Sequence, residues 1–186
     1  MKAYSIVKKI VESVTNKKKS PKETENKQAQ PGYLIGEYRV VLSETIFSVF
    51  KNYIQDELHK NESGGLLLGA IVGNTIYVSK ASIPSKFDKA TRTSFHRDKD
   101  IAQIIVDYEF ENSGGKMFYV GEWHTHPEDY PTPSGQDRKM TIEQYNKSRL
   151  SQPFSLMIIQ GKKGVYLALY DGNKIIEPAN PRIPNK

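Results

Sequence analysis

Residues 124–137 read His-Thr-His-Pro-Glu-Asp-Tyr-Pro-Thr-Pro-Ser-Gly-Gln-Asp, which sets two imidazoles, a hydroxyl and a carboxylate at spacings a metal site can use. Catalytic zinc takes three protein ligands and keeps a fourth position for water, and His124, His126 and Asp137 offer the nitrogen and oxygen donors it accepts. Such a centre acidifies water and polarises a carbonyl. Amide hydrolysis also needs a group that takes the water proton and hands it to the leaving amine. The chain has no cysteine, so disulfides, thiolate metal sites and a cysteine nucleophile are all excluded.

The elements that must position these groups can be read around them. Met117-Phe-Tyr-Val-Gly-Glu-Trp123 is rich in aromatic and β-favouring residues, so the histidines end a strand, and their separation of two puts both rings on one face. Pro127, Pro131 and Pro133 forbid continued pairing or helix. Ser134 then stands where an N-cap belongs, with Asp137 in the first turn of a helix over 135–150. The helix dipole favours the ionised form of that aspartate. Ser134 fits the plain role of a cap as well as that of a hydroxyl near developing charge.

Glu62 is the candidate proton carrier. It opens Glu62-Ser-Gly-Gly-Leu-Leu-Leu-Gly69, at the mouth of a strand too apolar to lie anywhere but the centre of a sheet. From there a carboxylate can project into a cleft beside a neighbouring histidine strand. Glu57, Glu122, Glu128 and Asp129 compete for the role; Glu122 shares the strand face of His124, whereas Glu128 and Asp129 read as loop solvation. His59 and His96 read as surface residues, and Trp123 as a core or cleft-wall aromatic.

With 186 residues and 37% hydrophobic content, the chain can bury one ordinary core. Residues 1–30 hold eight Lys against three Glu, which accounts for most of the net charge of +6. The rest is nearly neutral, so a basic nucleic-acid groove is not expected. Ile6, Val7, Ile10, Val11 and Val14 make a short apolar stripe if residues 3–14 are helical, followed by a solvated basic linker. No apolar run is long enough to span a membrane and no signal peptide is evident, so a cytoplasmic protein is expected. Residues 31–178 form the single globular domain and 179–186 a proline-rich tail.

Within that domain the pattern gives a strand over 36–42, a helix capped by Ser43 and running to about Leu58, and a buried hairpin of Leu66–Val72 with Thr75–Ser79. A polar loop from Pro84 to Arg97 precedes a helix marked by Ile101, Ile104, Ile105 and Tyr108. After the histidine strand and the helix over 135–150 come strands at 155–160 and 165–170 and an edge strand at 174–176. The fold class is α/β (α+β): one curved mixed β-sheet flanked by helices.

The set Glu62, His124-x-His126-Pro127, Ser134 and Asp137 resembles the JAMM motif of the MPN+ (JAB-domain) zinc metalloproteases, and Glu62-Ser-Gly-Gly-Leu-Leu-Leu-Gly69 resembles the segment that carries their glutamate. A His-x-His pair alone is more often exposed than metal-bound, but the complete set reverses that reading. The resemblance covers roughly residues 36–177 and implies a single MPN/JAB-like domain with cytidine-deaminase-like layering. It implies that His124, His126 and Asp137 bind one Zn2+ per chain, that Glu62 is general acid/base and that Ser134 stabilises the oxyanion. It further implies cleavage of the amide after the C-terminal glycine of a ubiquitin-like protein, with Ile83–Arg97 as the insertion that receives the extended tail.

The run Tyr119-Val-Gly-Glu-Trp-His-Thr-His-Pro-Glu128 looks most like stand-alone bacterial deconjugating isopeptidases, such as the one in CBASS antiphage systems. Those work alongside E1- and E2-like proteins and release a cyclic-oligonucleotide synthase. The rival readings are a deconjugase of a bacterial ubiquitin-like operon, a protease that processes a sulfur carrier's C-terminus, and a non-catalytic MPN-type binding scaffold.

Overall fold

A computed structural model describes residues 32–185; the helix expected over residues 3–14 and the basic linker after it lie outside them. Eleven strands and three helices are arranged about one large sheet and one small one among these residues. In chain order they are β1 (Gly32–Ile35), β2 (Tyr38–Leu42), α1 (Glu44–Lys51), β3 (Gly64–Val72), β4 (Thr75–Ala81), β5 (Lys89–Thr91), β6 (Ser94–His96), α2 (Lys99–Asn112), β7 (Phe118–Thr125), α3 (Gly135–Lys147), β8 (Ser155–Gln160), β9 (Gly164–Tyr170), β10 (Ile175–Ile176) and β11 (Arg182–Pro184). The large sheet runs β1-β2-β4-β3-β7-β8-β9-β10, with β11 also on β9.

Its centre is β3, antiparallel to both β4 and β7. Period-two alternation explains why this strand is apolar throughout: Leu67 faces the main core while Leu66 and Leu68 face α2 with Ala102 and Ile105. The sheet curves so that residues from β1 to β11 share one cluster with Ile46, Phe47 and Phe50 of α1. β7 and β8 are parallel, and α3 makes the crossover between them. The architecture is therefore the mixed α/β arrangement expected.

Several boundaries differ from the sequence reading, each for a local reason. The strand expected from Gly36 is a hairpin, β1–β2, turning at Gly36, whose φ of 57° lies in the left-handed region. Helix α1 stops at Lys51 rather than near Leu58. Gln55 donates from Nε2 to the carbonyls of Lys60 and Arg92, and such tertiary bonds draw residues 52–63 away from a helical path. Ser43 occupies the N-cap position of α1 without a capping bond, since its hydroxyl meets Thr45 Oγ1 and Ser79 O instead. The polar stretch 84–97 contains the β5–β6 hairpin. Arg182–Pro184, inside the stretch read as a tail, pairs with Gly164–Tyr166 as β11, burying Ile183.

Candidate metal centre

The end of β7 sets the two histidines. His124 and His126 project from the same face, while Thr125 between them is fully buried on the other. The His124 and His126 Nε2 atoms lie 3.2 Å apart. Beyond them the chain turns through Pro127–Pro133 and enters α3, whose first turn returns Asp137 to the histidines. Asp137 Oδ1 is 3.3 Å from His124 Nε2 and Oδ2 is 3.4 Å from His126 Nε2. The three side chains offer ligand atoms within 4.8 Å of one another, from two nitrogens and one carboxylate. That donor set fits a borderline divalent cation such as zinc, with a position left for water or substrate.

Ser134 begins α3 with a reciprocal capping box: its Oγ accepts from the Asp137 amide at 3.1 Å, and its own amide donates to Asp137 Oδ2 at 2.6 Å. The cap therefore fixes the Asp137 carboxylate as well as the helix end. Because Ser134 Oγ acts as acceptor there, its proton is available to a further partner.

Glu62 reaches the same place from the far side of the β3–β7 ladder. Gly64 is opposite His124 in that ladder. One residue earlier, the Ser63 amide donates to Thr125 Oγ1 at 2.9 Å, and Ser63 O accepts from the Thr125 amide at 2.9 Å. These bonds leave Glu62 Oε1 3.9 Å from His126 Nε2, with only 7% of the residue exposed. Thr125 is a positioning residue that the sequence reading missed; the signal available was a hydroxyl on the buried face of a strand, where it needs a partner.

The electrostatics separate the two carboxylates. Burial raises Glu62 from its ordinary 4.5 to about 7; the charge of His126 opposes that rise and the charge of Asp137 adds to it. Burial would also raise Asp137, but hydrogen bonds from His124, His126 and Ser134 hold it far below the usual carboxylate range. For His126, burial disfavours the charged ring, yet the hydrogen bond and charge of Asp137 outweigh it and the pKa rises. One carboxylate is thus held ionised beside the histidines and the other is pushed toward neutrality.

The competing acids are accounted for elsewhere. Glu122 shares the His124 face but is paired with Arg97, Nε to Oε1 at 2.5 Å. Glu57 is exposed beside His59 and Lys60. Glu128 Oε2 accepts from the Thr132 amide, and Asp129 pairs with Lys162 and Lys163. His59 and His96 are exposed and stand apart from the cluster. Trp123 is a core residue, 1% exposed, packed on Phe50 and donating from Nε1 to Ser82 O at 2.9 Å.

A cleft joins the site to the β5–β6 hairpin, lined by Glu62, His124 and Asp137 together with Thr93, Ser94 and Phe95. Phe95 fits against Gly64, where a Cβ would lie 2.6 Å from the ring. Among the described residues no helix is long and apolar enough to cross a membrane.

Comparison with known proteins agrees with this geometry. The family described as prokaryotic homologs of the JAB domain matches residues 52–170. A CD-NTase/cGAS isopeptidase of Pseudomonas aeruginosa is 34% identical over 131 residues, covering 70% of this chain and 82% of that protein. A protein of the same name from Escherichia coli is 33% identical over 69% of this chain and 79% of its own length. A probable metalloprotease of Sinorhizobium fredii is 30% identical over 55% of this chain and 65% of its own. The solution structure of protein DSY2949 from Desulfitobacterium hafniense shares the fold, with a TM-score of 0.52 at 18% identity, over 74% of this chain and 89% of that one.

Proposed function

The chain belongs to the family of prokaryotic homologs of the JAB domain, and from that premise we propose that it is a zinc-dependent isopeptidase that cleaves the amide after the C-terminal glycine of a ubiquitin-like protein. The observation that carries this reading is the meeting of Glu62 with the His124, His126 and Asp137 cluster, Glu62 Oε1 lying 3.9 Å from His126 Nε2. A buried carboxylate facing that cluster is what a hydrolase needs and a binding scaffold does not.

His124, His126 and Asp137 would hold the ion, which when bound supplies Lewis acidity toward the scissile carbonyl and water. Glu62 takes a proton from the water as its oxygen bonds to the carbonyl carbon. The carbon–nitrogen bond then breaks as Glu62 returns that proton to the leaving lysine nitrogen, and the second water proton passes from the new carboxyl group to the amine, giving a glycine carboxylate and an ammonium. Ser134 donates its hydroxyl proton to the oxyanion, its oxygen being already engaged by the Asp137 amide. The β5–β6 hairpin receives the extended tail. Its β5 edge is taken by residues 61 and 62, through the Glu62 amide to Thr91 O and Asn61 Nδ2 to Ala90 O. The outer edge of β6 is then the one that can pair with a substrate strand.

The names of the relatives support a CD-NTase as the conjugated target; E1- and E2-like partners and a role in CBASS-type antiphage defence belong to the same proposal. The test is a ubiquitin-like protein fused through its terminal glycine to a reporter amine, incubated with zinc-loaded protein and with Glu62→Ala. Release by wild type, lost on chelation and in Glu62→Ala, is expected. Equal rates with and without metal would sink the protease reading, and binding without cleavage by both proteins would establish the scaffold.

A further inference from the structure

Residues 52–63 run from α1 to β3 and carry Glu62, yet contain neither helix nor strand up to Gly64. Their internal ion pairs, Lys60 with Asp56 and Glu57, are exposed, and pairs of that kind hold little. Ser63 at the segment's end is tied to Thr125 of β7, and between Gln55 and Glu62 the tertiary hydrogen bonds go to the β5–β6 hairpin. The Glu62 amide donates to Thr91 O at 2.8 Å, and Asn61 Nδ2 to Ala90 O at 3.2 Å. In return Arg92 Nη1 donates to the carbonyls of Glu57, at 3.1 Å, and Leu58.

Gln55 sits within this junction, 1% exposed. Its Nε2 donates to Lys60 O at 2.9 Å and to Arg92 O at 2.8 Å, joining the Glu62 segment and the hairpin turn through one amide. Both partners are carbonyls, so the NH2 end of the amide must be the one that faces them. Its Oε1 is buried with no partner. A buried acceptor left unpaired opposes folding; an apolar side chain of equal volume would avoid that but leave both carbonyls without this donor. The amide differs from such a side chain in its two-carbonyl bridge.

We propose that Gln55 is a positioning residue that makes the β5–β6 hairpin and the Glu62 segment one mechanical unit, so that a substrate strand docking on β6 sets Glu62 against His126. The proposal rests on Glu62 being the proton carrier. Misplacement of such a group by about 1 Å can lower a rate about a hundredfold, and the loss of one tie among several is expected to cost about tenfold.

The test compares full-length wild type with Gln55→Met, which keeps the volume and removes the donors, and with Arg92→Ala, which removes the reciprocal tie from outside the core. Amide hydrogen exchange at Glu62 is expected to quicken about tenfold in Gln55→Met and about threefold in Arg92→Ala, while Leu66 and Leu67 in β3 keep their protection. On the ubiquitin-like fusion, kcat is expected to fall about tenfold in Gln55→Met with KM changed less than threefold. Unchanged exchange at Glu62 overturns the proposal, as does acceleration that includes β3, which marks general loosening. Should Gln55→Met fail to fold, Arg92→Ala decides by the same criteria. If wild type cleaves no fusion, the isopeptidase reading fails, and the exchange result still decides whether hairpin and Glu62 move together.

Discussion

Ser134 and Asp137 hold each other at the start of α3: the Asp137 amide donates to Ser134 Oγ, and the Ser134 amide donates to the Asp137 oxygen that faces His126. A ligand carboxylate is thereby oriented by the residue proposed to stabilise the oxyanion. Replacing Ser134 with alanine removes the side-chain half of the box and leaves the backbone half. The expected loss is about 1 kcal/mol of stability from the cap, with metal stoichiometry retained and kcat lowered about 10²-fold. Ser134→Asp caps as well as serine but presents negative charge to the oxyanion. Its melting temperature is expected to recover while activity does not; recovery of both would reduce Ser134 to a cap.

Metal removal should register as a stability change. Without a cation, His124, His126 and Asp137 keep only their mutual contacts and the Ser134 cap. Dialysis against a chelator is expected to lower the melting temperature by several degrees, and one equivalent of zinc to restore it. His124→Ala abolishes the restoration, whereas His59→Ala and His96→Ala preserve it. Elemental analysis of the same samples checks the stoichiometry.

Glu62 gives the metal-free protein a pH dependence of definite sign. Its folded pKa, about 7, lies above the ordinary 4.5, so between these values the folded state keeps a proton that the unfolded chain has released. Stability therefore falls as pH rises through that window. His126, also raised, acts in the same direction: its contribution is complete below its ordinary 6.5 and is lost as pH increases. Glu62→Gln removes the first effect. The stabilisation it confers over wild type is expected to be about 2 kcal/mol larger at pH 8 than at pH 5, measured by denaturant unfolding in chelator. An equal difference at both pH values would show that Glu62 is not strained by burial.

Gly64 tests how closely the hairpin is seated. A Cβ there would lie 2.6 Å from the Phe95 ring and 2.6 Å from the Trp123 carbonyl oxygen. Gly64→Ala is expected to destabilise by roughly 1–3 kcal/mol. Adding Phe95→Leu should relieve only part of that, because the Trp123 carbonyl belongs to the β7 backbone and cannot withdraw. Full recovery in the double variant would mean that the ladder is looser than its register implies.

The clustering of His124, His126 and Asp137 was legible in the sequence because each residue's direction follows from a strong local rule. A separation of two on a strand aligns His124 with His126, and a serine after three prolines caps the helix that carries Asp137. The central place of β3 was legible from its unbroken apolar run. Adjacency of Glu62 to the histidines was not, since it depends on β3 pairing with β7 across distant sequence, set by Ser63 and Thr125. The end of α1 was illegible for a similar reason: Ile54 continues the apolar spacing, but the bonds of Gln55 to Lys60 and Arg92 bring that stretch to the hairpin. Short β11 and the β5–β6 hairpin carry too few alternating residues for periodicity to mark them.

The parallel pairing of β7 with β8 across α3 also has a consequence for assembly. All three candidate ligands fall within residues 124–137, on one strand end and the first turn of the crossover that follows it. Contacts of such short sequence separation form early in folding, whereas Glu62 arrives only when β3 closes on β7. A refolding chain is thus expected to gather His124, His126 and Asp137 before Glu62 joins them, since the β3–β7 ladder spans the longest sequence separation among the sheet's pairings.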